Sequence, residues 1–437
     1  MTSRSSARSL SAVSSHFPGP SLSKHREMRA FQSFFLGGFE CSTHRLRNGK
    51  RLDLVRATKH DEFAVKDFRL LQRHGIYSAR EGLRWYLIET QPYRFNFSSA
   101  RAILDAACET DTQVIWDLWH YGWPDDIDIF SPQFISRFVA FSCAAAEHLT
   151  EKIEAPLICP INEISFFSWA GGDAGILNPF AQGRGNKMKR QLVRASIESI
   201  KAMRQLNPRI RFFHIDPMIN VIARDLTPES VAASNSYHRS QFEAYDMITG
   251  RQAPELGGQE DFVDFVGVNY YIHNQWTYPG KGGSMIVPSD PRYRHVRDLL
   301  QENFDHHSKP LFVAETGIED ETRPAWLRYV CNEVFAAIGN GVPVQGVCLY
   351  PIVNHPGWED DRHCYNGLFD YADDWGDREA FEPLAIELAR QQRFAEAINA
   401  GEPFVDRRET DVSALDWAAH VMEERTDDSR TAESAAL

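Results

Sequence analysis

The chain has 437 residues, and none of its apolar runs approaches the roughly 20 residues a membrane-spanning helix needs. It also lacks a basic cluster: 47 Lys and Arg are outweighed by 60 Asp and Glu, for a net charge of −13. That balance argues against nucleic acid and anionic membrane surfaces as partners. The seven cysteines form no CxxC pair and no metal-type spacing. Neither a zinc site nor a disulfide framework is written into them, and no metal or other cofactor is expected. Unpatterned thiols suit a reducing compartment, so the expected location is the cytoplasm. An apolar signal region is missing from the N-terminus, and no repeat of solenoid length occurs.

What is present suits a large core. Hydrophobic residues make up 43% of the chain and aromatic ones 12%. Length alone allows two or three domains, but one α/β barrel can absorb most of it. Residues 1–28 are rich in Ser and Arg and poor in acids. They read as a disordered tail, with a transit peptide as the alternative. Residues 406–437 turn acidic and rich in small residues, and read as a partly disordered tail. The folded part is expected over 29–405.

Within that span, short apolar runs bounded by turn residues alternate with segments of helical periodicity. Strands are expected at 33–38, 76–83, 113–118, 156–161, 210–215, 263–268, 311–314 and 345–349. Helices are expected at 62–74, 98–108, 132–149, 187–206, 229–248, 293–304, 323–338 and 379–398. In the first helix Phe63, Val65, Phe68, Leu70 and Leu71 fall on roughly one face. Eight strands alternating with eight helices predict a parallel (β/α)8 TIM barrel.

Catalysis in such barrels sits at the C-terminal ends of the strands. Two strand ends stand out. Leu311-Phe312-Val313-Ala314 runs into Glu315, and Leu157-Ile158-Cys159-Pro160-Ile161 runs into Asn162-Glu163. A carboxylate ending a buried strand is costly unless the fold uses it. Arg80 lies within a barrel strand, where no edge exists, so it is expected to face a carboxylate. Trp116, Trp119, His120, Tyr121 and Trp123 crowd the third strand end. Packing alone accounts for such rings; a stacking platform for a sugar accounts for them together with the polar strand ends.

These stretches resemble the retaining β-glycosidases of glycoside hydrolase clan A, family one above all. Asn162-Glu163 is similar to the family's Asn-Glu-Pro, with Ile164 in place of Pro. Glu315-Thr316-Gly317 is similar to its Glu-Asn-Gly, and Phe265–Tyr271 to its Phe-Ile-Gly-Leu-Asn-Tyr-Tyr, which includes Asn269. The segment 320–330 resembles the sequence that follows the family's second glutamate. Arg80, Trp85 and His120 match further family positions, and Tyr350–Trp358 aligns with Trp-Ser-Leu-Leu-Asp-Asn-Phe-Glu-Trp.

The resemblance implies Glu163 as acid/base and Glu315 as nucleophile of a retaining glycosidase acting on a β-glycoside. It implies that Arg80 and Tyr271 support Glu315, and that Asn162 holds the sugar 2-hydroxyl. It makes His120, Trp119, Arg45, Asn269, Tyr350, Asn354 and Trp358 candidate sugar-binding residues. It also implies a cis bond after Tyr350, where Pro351 lowers the cost of one. Three departures bear on the substrate. Arg45 aligns with a sugar-binding Gln, Gly357 replaces a hydroxyl-gripping Glu, and Tyr350 replaces Trp. An extra arginine and one fewer carboxylate point toward an anionic glycone. The partner expected is a carbohydrate or glycoside, with the oligomeric state open. Three other classes remain: a transglycosylase with the same covalent step, a carbohydrate-binding barrel without turnover, and a metal-dependent barrel enzyme built on His214 and Asp216.

Overall fold

The computed structural model describes residues 30–279, 284–402 and 415–416. The expected tails, 1–28 and 406–437, lie outside the described residues apart from 415–416. Eight parallel strands close a barrel: β1 (Phe35–Gly38), β2 (Ser78–Gly82), β3 (Gln113–Asp117), β4 (Leu157–Cys159), β5 (Arg211–Pro217), β6 (Phe265–Asn269), β7 (Leu311–Thr316) and β8 (Val344–Leu349). Each strand pairs with the next, and β8 closes onto β1. Every strand expected from the sequence is one of these eight. The helices outside them follow the expected segments, with one difference. The helix expected over 229–248 is broken into Pro228–Arg239 and Glu243–Ile248 by a tight turn at 240–242. There Gln241 leaves the helical pattern to accept from the Ile219 amide at 3.0 Å.

Alternation along the strands sorts side chains between two cores. Leu36, Ile115, Phe213, Phe265, Phe312, Ala314, Cys348 and Tyr350 fill the barrel interior, where Phe31 stacks against Phe213 and meets Phe312 edge-on. Ala79, Trp116, Val266 and Val313 face outward onto the helices. At the C-terminal mouth the inward positions change from apolar to polar, to Arg80 and Asp117. Close approach of β1 and β8 there needs a glycine, because a Cβ on Gly38 would lie 2.1 Å from the Tyr350 ring. The Tyr350–Pro351 bond is cis, as are Asn178–Pro179 and Tyr278–Pro279.

Strict alternation would turn Glu315 outward, because Phe312 and Ala314 face inward. An irregularity in β7 prevents this. Val313 pairs with Val268 but Glu315 pairs with the next residue, Asn269, so β7 carries one extra residue at its end. Such a bulge re-aims the side chains beyond it. Glu315 turns into the barrel, and Thr316 turns out to accept a 2.9 Å hydrogen bond from Trp326 Nε1.

Behind β2 the outward residue is charged. Glu81 Oε1 lies 2.9 Å from His60 Nε2, and His60 Nδ1 lies 2.7 Å from Asp67 Oδ2. Arg378 completes the chain through Asp67 at 2.6 Å. The buried face of helix His60–Arg73 is therefore His60, Ala64, Asp67, Phe68 and Leu71, with Val65 and Leu70 flanking it. Burial disfavours the His60 imidazolium, but Glu81 and Asp67 outweigh it and raise its pKa to about 9. The stabilisation this brings is complete below the ordinary histidine pKa of about 6.5 and is lost as pH rises through 9, on the order of 3 kcal/mol. Denaturant unfolding from pH 6 to pH 10 is expected to show that decline in the native chain. The decline should be smaller by that amount in His60→Gln, where the raised pKa values of Glu163 and Asp216 still contribute their own losses below pH 8.

Candidate active site

Two buried carboxyls meet at the C-terminal mouth. Glu163 follows β4 in a left-handed conformation, with φ 49°, and its amide donates to Ile215 O at 3.0 Å. A non-glycine residue held there costs about 1–2 kcal/mol, which the surrounding contacts must offset. Its Oε1 accepts from Asn269 Nδ2 at 2.7 Å, and its Oε2 accepts a short hydrogen bond from Tyr121. Glu315 Oε1 accepts from Arg80 Nη1 at 2.7 Å, and Oε2 accepts from the Tyr271 hydroxyl at 2.9 Å.

One guanidinium organises the mouth. Arg80 donates to Asp117 through Nε at 3.2 Å and Nη2 at 2.7 Å, to Asn162 Oδ1 at 2.6 Å, and to Glu315. β2, β3, β4 and β7 are thereby tied at a single point. Its planar fork suits a bidentate carboxylate contact that lysine cannot copy. Tyr350 lies beneath, its ring centroid 5.3 Å from the guanidinium carbon and parallel to His120 at 6.1 Å.

The two glutamates differ in their surroundings, and Glu163 holds its proton for a physical reason. Glu163 is buried and lies in the field of Glu315; both effects raise its pKa, to about 8. The Tyr121 and Asn269 hydrogen bonds act in the opposite sense. Glu163 is therefore an acid at neutral pH, next to a carboxylate paired with arginine. Removing the phenol in Tyr121→Phe is expected to raise the Glu163 pKa further, by about one unit. A binding or rate profile that follows Glu163 should shift its basic limb to higher pH, with the acidic limb unmoved.

The remaining candidates divide. Asn162, His120, Asn269, Tyr271 and Tyr350 gather around the pair. Asn162 is a bracket within it, with Nδ2 3.2 Å from the Tyr121 hydroxyl and 3.3 Å from His120 Nε2. Trp358 stands at the rim, edge-on to His44 at 5.0 Å and to Tyr121 at 5.9 Å. Trp119 is not a platform: its ring is fully buried, edge-on to Phe167 at 4.8 Å. Asn354 is also elsewhere. Its amide donates to Asp370 at 3.1 Å and its Oδ1 accepts from Gly367 N at 2.7 Å, which ties down the loop after β8. Arg45 turns away, its Nε donating to Asp125 at 2.7 Å and its Nη1 to Gly49 O at 2.6 Å. Asp125 also holds Arg51, so the loop after β1 is tied by ion pairs to the loop after β3. The extra arginine that pointed to an anionic glycone does not face the glutamates.

Two residues of this site escaped the sequence reading. Tyr121 was one of several crowded aromatics, and its left-handed backbone, φ 68°, separates it from Trp119. Glu40 ends β1 with a buried carboxylate whose charge acts on Tyr121, Tyr271 and Tyr350. A carboxylate next to the Gly37-Gly38 strand end was the available signal.

For a metal, the described residues offer one group: Cys41, Asp117 and His120, with ligand atoms within 4.8 Å of one another. Arg80 already occupies both Asp117 oxygens, and its charge opposes a cation beside it. His214 and Asp216 lie 3.7 Å apart, and Asp216 accepts instead from the Ser165 amide at 3.0 Å.

The class defined by this geometry is an eight-stranded α/β barrel with paired carboxyls at its mouth. Among solved structures, the family 1 β-glucosidase from Thermotoga maritima is similar. It shares 15% identity and a TM-score of 0.66, over 83% of this chain and 97% of that one. The β-glucosidase of Thermotoga maritima in complex with glucoimidazole matches at 15% identity and TM-score 0.67, over 86% and 99%. The chain thus has the fold of the family-one β-glucosidases. One curated relative, the chloroplastic galactolipid galactosyltransferase SFR2 of Arabidopsis thaliana, is 31% identical over 113 residues. That match spans 22% of this chain and 18% of the relative. No protein-family model matches the sequence. Among the described residues no helix is long and apolar enough to cross a membrane.

Proposed function

We propose that residues 29–405 form a retaining glycosidase barrel acting on a β-glycoside, with Glu163 as acid/base and Glu315 as nucleophile. The observation that carries this is the pair's unlike surroundings: Glu163 is held as an acid, with a pKa of about 8, while Arg80 and Tyr271 bond both oxygens of Glu315. In the first step a Glu315 oxygen bonds the anomeric carbon, the glycosidic C–O bond breaks, and the Glu163 proton goes to the departing oxygen. Esterified Glu315 carries no charge, so one cause of the raised Glu163 pKa disappears. Glu163 then accepts a proton from the incoming water as the ester bond breaks. Asn162 meets the 2-hydroxyl by exchanging its long contacts to His120 and Tyr121. Seven free thiols suit the cytoplasm as its location.

A sugar acceptor in place of water is the second reading. The relative's name, a galactosyltransferase, favours it. So does an aromatic path leading outward from Glu163: Tyr121, Phe166 and the exposed Trp169, with successive centroids 5.8 and 6.1 Å apart. Proton NMR of the first product from aryl β-glycosides, with and without added sugar, tests both readings. A retained anomer supports the double displacement, and an inverted one sinks it. The split between free sugar and elongated glycoside distinguishes hydrolysis from transfer.

A further inference from the structure

We propose that Glu40 and His44 form the hydroxyl-binding end of this site, and that they select a neutral glycone and reject an anionic one. The inference rests on the sugar-site reading above and names its substrate class. Glu40 Oε1 is fixed, accepting from the Ser42 amide at 2.9 Å and from the Ser42 hydroxyl. Oε2 has no hydrogen-bond donor among the described residues. Burial would raise the Glu40 pKa, but His120, His355 and Ser42 outweigh it and lower it. Glu40 is thus an ionised carboxylate with one oxygen committed and one open.

His44 is the independent observation. Its side chain is 1% exposed, yet neither ring nitrogen has a partner. Burial lowers its pKa to about 4, so it is a neutral imidazole with one donor and one acceptor to offer. Its ring is edge-on to Tyr121 at 6.4 Å and to Trp358 at 5.0 Å, within the field of Glu40. A buried polar group without a partner is costly, and a bound hydroxyl repays it. An acceptor oxygen beside a donor–acceptor ring suits neighbouring hydroxyls on a sugar. This replaces the carboxylate missing at Gly357 with one from β1.

The same residues disfavour negative charge. Glu40, Asp117 and Glu315 face Arg80 and His120, and Cys41 and Asp117 raise the His120 pKa against burial. The Arg80 nitrogens are already engaged by protein partners, and Arg45 is turned to Asp125. Arg51, whose charge also reaches His44, gives both terminal nitrogens to Thr43 O, Trp123 O and Asp125, and only its buried Nε is left without a partner. A sugar carboxylate or phosphate therefore finds no open guanidinium fork.

The test is calorimetric binding of the lactams of gluconic and galactonic acid and of their 6-carboxylate analogues. The native chain is expected to bind a neutral lactam at least about 10-fold more tightly than its charged analogue. Glu40→Gln keeps an oxygen for Ser42 and puts a donor where the open acceptor was. It is expected to weaken neutral binding about 10- to 100-fold and to narrow the preference. His44→Phe keeps the ring and should lose about 2- to 10-fold, and it carries the test if Glu40→Gln does not fold by circular dichroism. Neutral binding unchanged in both folded variants, equal or tighter binding of the charged lactam, or no neutral binding by the native chain would each overturn the proposal. Trapping of Glu315 by an activated 2-fluoro glycoside reads the catalytic role separately. A trapped Glu315 with Glu40-independent binding fails the inference alone, and Glu40-dependent binding without trapping fails the catalytic reading alone.

Discussion

Glu315→Gln is expected to cut kcat by about 10⁴-fold or more, the scale on which loss of a nucleophile registers. The substitution keeps the shape and one accepting oxygen but removes the charge that attacks. Glu163→Gln should differ in kind. Loss of the acid costs about 10²- to 10⁴-fold on a glycoside with a poor leaving group. It costs far less in the first step for an acidic phenol, which departs without a proton. In the native chain the rate is expected to fall as pH rises through about 8, the pKa to which burial and Glu315 raise Glu163. The Glu163→Gln profile lacks that limb. Rates on activated and unactivated aryl glycosides across pH 5–10 check all three statements. Equal losses on both leaving groups would remove the acid role from Glu163.

The second large effect falls on stability. Arg80 is 1% exposed and bonds Asp117, Asn162, Glu315 and the Ala314 carbonyl. Arg80→Met leaves two buried carboxylates facing each other without their cation. Breaking a buried ion pair from one side costs about 3–5 kcal/mol, because the abandoned charge stays desolvated. Asp117→Asn in the same chain removes one of those charges, so the double variant is expected to regain part of the loss. Activity should not return, because Glu315 still lacks its partner. Urea unfolding of the two variants and the native chain gives the comparison. An Arg80→Met chain as stable as the native one would mean the cluster does not carry the mouth of the barrel.

The barrel was legible because parallel strands buried on both faces read as continuous apolar runs; β2, with Arg80 and Glu81 in it, is an exception. Glu163 and Glu315 were legible because a carboxylate at the end of such a run is out of place. What was illegible depends on backbone detail. The extra residue that turns Glu315 inward leaves no mark in the composition of β7. Trp119 and Tyr121 look alike as neighbouring aromatics, and only the left-handed turn at Tyr121 brings one phenol to Glu163 while the indole goes to the core. Arg45 and Asn354 carry suitable chemistry at aligned positions, yet Asp125 claims the first and the Asp370 loop the second. In the helix at His60, the polar residues His60 and Asp67 lie on the buried face because Glu81 waits there.

The central claim is that Glu315 becomes covalently bound to the sugar. Its most direct measurement is the intact mass of the protein after exposure to a panel of activated 2-deoxy-2-fluoro β-glycosides, followed by peptide mapping. The fluorine slows both steps and the activated leaving group speeds the first, so the intermediate accumulates. The account predicts a single adduct on Glu315, formed by a neutral sugar. An adduct mapped to another residue, or folded protein left unlabelled by every member of the panel while it turns over the parent glycosides, would contradict it.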